Sequence, residues 1–227
     1  MSHWRRTGII ALSSLLGIIL LAGAILFFSL PSLAAPISPI PLANQAQNQI
    51  ALQNITTKLR SATLGLLTSR DGTLRLTLSE NELNAVTYQA LKSAIHGDIT
   101  LLGTTTKITP EKRIVTDCAL KWHGYTLGFH VNIKPVVLPN GTLALLPDEL
   151  KLGRIPLPKN MVLEQLKPYL PQATTLIQQP AGILFNPNGL INGNYPAIIK
   201  DPRIGIKGLN FGSHSVQIAA LVSFRLF

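Results

Sequence analysis

The chain has 227 residues, one cysteine, few charged residues (13%) and a net charge of +10. That length holds about one ordinary domain plus a terminal segment. A single cysteine excludes an intrachain disulfide, so the fold must rest on its core.

The first element is an apolar run. Gly8 to Leu30 is 23 residues without a charge, with Arg5 and Arg6 just before it and no charge after it until Lys58. As a helix it would be about 34 Å long, enough to cross the ~30 Å hydrocarbon core. Charge asymmetry places the N-terminus in the cytoplasm. The expected organisation is therefore a cytoplasmic stub (1–7), a transmembrane helix (8–30), a Pro-rich linker (31–42) and one extracytoplasmic domain (43–227). The competing reading is a cleaved signal peptide ending at Ser32-Leu33-Ala34. The run is much longer than the ~7–15 residues of a signal-peptide core, and either reading exports the domain. Beyond the anchor, 18 basic and 10 acidic residues remain. On an outer membrane face this charge favours anionic lipid head groups or anionic envelope polymers. Nucleic acid is a poorer fit, because an extracytoplasmic domain rarely meets it, and none is expected as a partner.

Pro31, Pro36, Pro39 and Pro41 predict a stiff polyproline-type spacer. A helix is expected over Asn44–Arg60, with Leu52, Ile55 and Leu59 as its apolar stripe. After a turn at Asp71-Gly72, alternation of Leu74, Leu76 and Leu78 with polar residues predicts a half-buried strand. A helix follows at once: Ser79 is its N-cap, Glu82 completes a capping box, and Leu78 with Leu83 forms a hydrophobic staple. Leu83, Val86, Ala90 and Leu91 are its expected buried face, and Gly97 its left-handed stop.

Strands are then expected at Ile99–Ile108, after a turn at 109–112, and at Arg113–His123, with Ile114, Cys118, Leu120 and Trp122 on one face. Past Gly124, Tyr125, Leu127, Phe129, Val131 and Ile133 alternate with polar residues, predicting one buried and one wet face. Asn140-Gly141 reads as a primed hairpin turn with both residues at positive φ, returning through Thr142–Leu152. Pro158 opens a short helix to Lys167. Asn186–Asn194 reads as loop, Arg203–Asn210 as a strand, and Val216–Leu226 as a terminal strand that ties the C-terminus into a sheet.

Three segments resemble a known family. Leu78-Ser79-Glu80-Asn81-Glu82-Leu83-Asn84 is similar to the helix start of the YpmS-like family of membrane-anchored proteins of Gram-positive bacteria. Leu138-Pro139-Asn140-Gly141-Thr142-Leu143 resembles its hairpin, and Leu152-Gly153-Arg154-Ile155-Pro156-Leu157-Pro158 its following segment. The resemblance spans nearly the whole chain and implies location and fold. That family is functionally uncharacterised and lends no catalytic residue.

No constellation of reacting groups is expected. Glu80 and Glu82 suit a helix N-terminus, and Asp148 and Glu149 lie beside a turn. His123 and His130 fall on neighbouring strands without a third metal ligand. Ser213-His214-Ser215 lacks the context of a nucleophile. Cys118 should be a buried, inert thiol. The expected fold is α+β: a curved antiparallel β-meander packed on the capped helix. The expected function is non-catalytic binding, without a cofactor or metal, of a lipid or other amphiphilic envelope molecule. Its groove would be lined by Tyr125, Leu127, Phe129, Val131 and Ile133. The alternative is an interaction module that docks a cell-envelope enzyme. Ser79, Glu82, Asn84, Asn140 and Gly141 are the expected structural motifs.

Overall fold

A computed structural model describes residues 33–68, 72–95, 97–166, 173–190 and 199–226. The expected transmembrane helix lies outside the described residues, and among those described no helix is long and apolar enough to cross a membrane.

The elements run α1 (Gln45–Thr68), β1 (Thr73–Ser79), α2 (Glu80–Ala94), β2 (Ile99–Ile108), β3 (Ile114–Trp122), β4 (Tyr125–Val137), β5 (Leu143–Leu152), β6 (Ile155–Pro156), α3 (Lys159–Leu166), β7 (Thr174–Gln178), β8 (Ala181–Phe185), β9 (Ile199–Phe211) and β10 (Ser215–Leu226). The class is α+β with antiparallel sheets. The single meander resolves into two sheets, however: one in the order β2-β3-β4-β5-β8-β7, with β6 beside β5, and a three-stranded sheet β1-β10-β9. The cause lies in the connections. Strands β2 to β5 are joined by tight turns and pair in sequence. β1 and β2 are separated by all of α2, so β1 pairs instead with β10 (Leu76 opposite Ile218, Leu78 opposite Val216).

The α2 start follows the expected capping box. The Glu82 N–H donates to Ser79 Oγ (3.3 Å), and the Ser79 N–H donates to Glu82 Oε2 (2.8 Å). Leu78 and Leu83 both join the core, which gathers Ile108, Val216, Ile55, Leu76, Leu209, Phe211 and Ile218 around them. Full burial of such a side chain contributes about 1.5–3 kcal/mol, a value that Leu78, Ile108 and Val216 approach and the partly buried residues around them fall short of. The buried face of α2 is rotated from expectation. Ala85 and Tyr88 are buried while Val86 is 44% exposed, and α1 meets this helix at Glu82, where Lys58 pairs with the carboxylate. The helix ends on Ile95, whose backbone is extended, and Gly97 (φ +76°) serves the turn into β2 instead. α1 runs eight residues past the expected Arg60. Asn44 Oδ1 caps it by accepting from the Gln47 N–H (3.2 Å), and Ile55 rather than Leu59 reaches the core.

The primed turn is also displaced. His123 and Gly124 take φ of +45° and +86°, joining Trp122 to Tyr125, its cross-strand partner. At the β4–β5 turn only Gly141 is positive (φ +79°). Pro139 precedes Asn140, and its ring holds φ near −65°. This favours a type I turn closed by a left-handed glycine over a primed turn. The Gly141 N–H donates to Leu138 O (2.9 Å) and Asn140 Oδ1 accepts from the Thr142 N–H (3.1 Å). β7 and β8 form a hairpin where no strand is expected, and β8 extends the larger sheet beyond β5.

Candidate functional site

Tyr125, Leu127, Phe129, Val131 and Ile133 do share one face of β4. Their partners on β3 are Trp122, Leu120, Cys118, Thr116 and Ile114 in that order. The clean division into a buried and a wet face does not hold. None of the five is fully buried, Tyr125 is 46% exposed, and the buried residue of this stretch is Gly128 on the other face. Of the five, Phe129 alone borders a cavity described below. Cys118 is 3% exposed, and burial pushes its thiol up to about 11, so it stays protonated and unreactive.

Gly128 is buried because the Pro-rich segment is not a spacer but a strap laid across the sheet. Gly103, Ala119 and Gly128 are cross-strand neighbours on β2, β3 and β4, forming a row of small side chains. Over this row pass residues 33–43. The Gly128 N–H donates to Ala34 O (2.7 Å), the Arg154 N–H to Leu33 O (2.8 Å) and the Ala43 N–H to Leu102 O (2.9 Å). A Cβ on Gly103 would collide with Pro41, one on Gly128 with Pro36, and one on Gly153 with Leu33 and Ala34. Between strap and sheet runs an apolar groove of roughly 500 Å³, open to the surface and lined by Pro36, Ile37, Pro39, Ile40, Leu42, Leu102, Ala119 and Thr126. A smaller cavity of roughly 180 Å³ adjoins it, with Asp117, Phe129 and His130 in its wall.

His130 stands between two carboxylates supplied by the flanking strands. Its Nδ1 is 2.7 Å from Asp117 Oδ1, and its Nε2 is 3.3 Å from Glu149 Oε2. Lys151 Nζ lies 2.5 Å from Glu149 Oε1, and that contact holds the Glu149 carboxyl below the usual carboxylate range. Through these two contacts His130 ties three strands together. His123 is not beside it. His123 occupies the β3–β4 turn, seven residues along β4 and about 23 Å away by strand rise, where it faces Asp98 at 3.8 Å. Among the described residues no group of three or more His, Cys, Asp or Glu is placed to hold a metal ion.

Glu80 and Asp148 have structural partners. Glu80 Oε1 accepts from the Ile108 N–H (2.6 Å), and its Oε2 lies 3.0 Å from His214 Nδ1, so the α2 start is tied to β2 and to the β9–β10 turn. Asp148 pairs with Arg113. Asn84 borders a polar cleft of roughly 450 Å³ between α1 and α2, with Gln47, Asn48, Asn54 and Asn81. Its Oδ1 is buried without a hydrogen-bond partner. The strap, the glycine row and the His130 pairings were all missed in the sequence. A usable signal was present: Gly103 and Gly128 interrupt otherwise regular strands, which marks close backbone approach.

No family model, curated protein or solved structure matches the chain.

Proposed function

We propose that the chain is a single-pass membrane protein of the cell envelope, its domain outside the cytoplasm, and that it binds an amphiphilic molecule such as a lipid or lipid-linked precursor without catalysis. The observation that carries this reading is the groove between strap and sheet. It is apolar, open, and within the size range of small-molecule sites. It begins at residues 36–42, directly after the Gly8–Leu30 run. An acyl chain leaving the bilayer beside the anchor meets Ile37, Ile40, Leu42 and Leu102 first. The proposed groove is thus on the opposite face of the sheet from the Tyr125–Ile133 series. The excess of 18 basic over 10 acidic residues beyond the apolar run suits an anionic head group. Two bulges, at Leu101/Gly103 and at Asn132/Ile133, support the finer expectation of a curved sheet, since a bulge bends its strand. Membership of the YpmS-like family is proposed on the same motifs as before. They form the capped start of α2, the β4–β5 turn and the β5–β6 turn.

The test is extraction of bound molecules from the full chain, purified from its native membrane in mild detergent, followed by mass spectrometry. A lipid retained at a fixed ratio, and lost when Ala119→Trp fills the groove, is the expected result. A lipid-free preparation that also takes up no fluorescent fatty acid would end this reading. The second reading, docking of an envelope enzyme, would then lead. It is favoured by the amide-lined cleft between α1 and α2, whose Asn and Gln side chains can pair with the peptide groups of an extended segment.

A further inference from the structure

At one end of the larger sheet three apolar side chains form an exposed row. Ile99 is paired with Trp122, and Trp122 with Tyr125. They are 39%, 42% and 46% exposed. In a strand interior such residues would normally be covered, and at this tip no described element covers them. Lys121 and Arg154 are exposed nearby, on β3 and in the β5–β6 turn.

The strap enters the fold at this same end. Ala34 O is held by the Gly128 N–H, and Gly128 lies three residues, about 10 Å, along β4 from Tyr125. Val137, at the far end of the strand, is nine residues or about 30 Å from Gly128. Between Leu30, the last residue of the apolar run, and Leu33, which the Arg154 N–H holds, three residues of chain reach at most about 11 Å. The aromatic row is thus within about 20 Å of wherever the apolar run ends, whereas the opposite end of the sheet lies about 30 Å from Gly128, beyond that reach. Tryptophan and tyrosine favour the head-group layer, where the ring meets acyl chains and the polar edge meets water. Lysine and arginine beside them complement anionic lipid.

From this we infer that the β3–β4 tip, with Ile99, Trp122 and Tyr125, is a second membrane contact that rests the domain on the bilayer surface. The inference relies on the reading of residues 8–30 as an anchor, but not on a ligand in the groove. It gives the domain a fixed tilt, held by two attachments, the strap entry and the aromatic tip.

The chain has two tryptophans, so Trp4→Phe leaves Trp122 as the sole reporter. The experiment reconstitutes this full-length variant in vesicles of phosphatidylcholine and phosphatidylglycerol, with or without bromine on the upper acyl chain. The expected result is a loss of Trp122 emission in brominated vesicles and protection from aqueous iodide relative to the chain in detergent. Unchanged emission in brominated vesicles, with the chain still resistant to carbonate extraction, overturns the contact while leaving anchor and groove standing. Release of the chain by carbonate overturns the contact together with the anchor. Neither result bears on the extraction of bound lipid, so the two proposals fail separately.

Discussion

The Glu82 carboxylate accepts from the Ser79 N–H and lies 2.7 Å from Lys58 Nζ, joining the N-cap of α2 to the middle of α1. Burial pushes this carboxyl up. Lys58, the Ser79 N–H and the Ser79 hydroxyl together outweigh that, and the net result lies below the ordinary value of 4.5. A carboxyl depressed in the folded state supports the fold above the unfolded value, and that support is lost as pH falls through the folded one. The parent should therefore lose more stability than Glu82→Gln when denaturant midpoints are compared at pH about 6 and about 3. Equal losses in the two proteins would show that the Lys58–Glu82 contact does not stabilise the fold. Glutamine keeps the shape of the capping box, so the comparison isolates the charge.

Among the elements, the strap departs most from its expected role. Four prolines suggest a stiff spacer, and stiffness is what permits the strap to lie along the sheet with little loss of chain entropy. Gly128→Val should force Pro36 off β4. The expected cost is about 1–3 kcal/mol, the range for overpacking, and limited proteolysis should newly cut within residues 33–43. A variant as stable and as resistant as the parent would show that the strap makes no energetic contribution. The sequence showed local pairings well and remote ones poorly. The β1 alternation, the capping box, the terminal strand and the β2–β5 succession depend on neighbours in the chain, and each was legible. The division into two sheets, the strap on its glycine row and the His130 clamp depend on which distant strand lies alongside, and alternation is silent on that. At Asn140-Gly141 a strong local signal was read without its neighbour: Pro139 decides the turn type. For the proposed site neither the residues nor the face was legible: none of Tyr125, Leu127, Phe129, Val131 and Ile133 lines the strap groove, because the strap covers the side that alternation marks as wet.

At the scale of the whole molecule, orientation is the first thing to measure. Arg5 and Arg6 precede the uncharged run, so a reporter active only outside the cytoplasm should be active when fused to the C-terminus. An inactive fusion, with the same reporter active at the N-terminus, would reverse the topology. The three-stranded sheet then acquires a consequence for how the chain is made. β10 is its central strand, and Gln217 meets Thr77 across 140 positions of chain. Until β10 has been synthesised, β1 has no partner and Leu78 lacks Val216 to pack on. Were the domain exported as proposed, it would stay open until that strand arrived, a state that a translocation pore can accept. Closure waits on a strand made long after the one it completes, so β1 is left without its neighbour while every element between them is made.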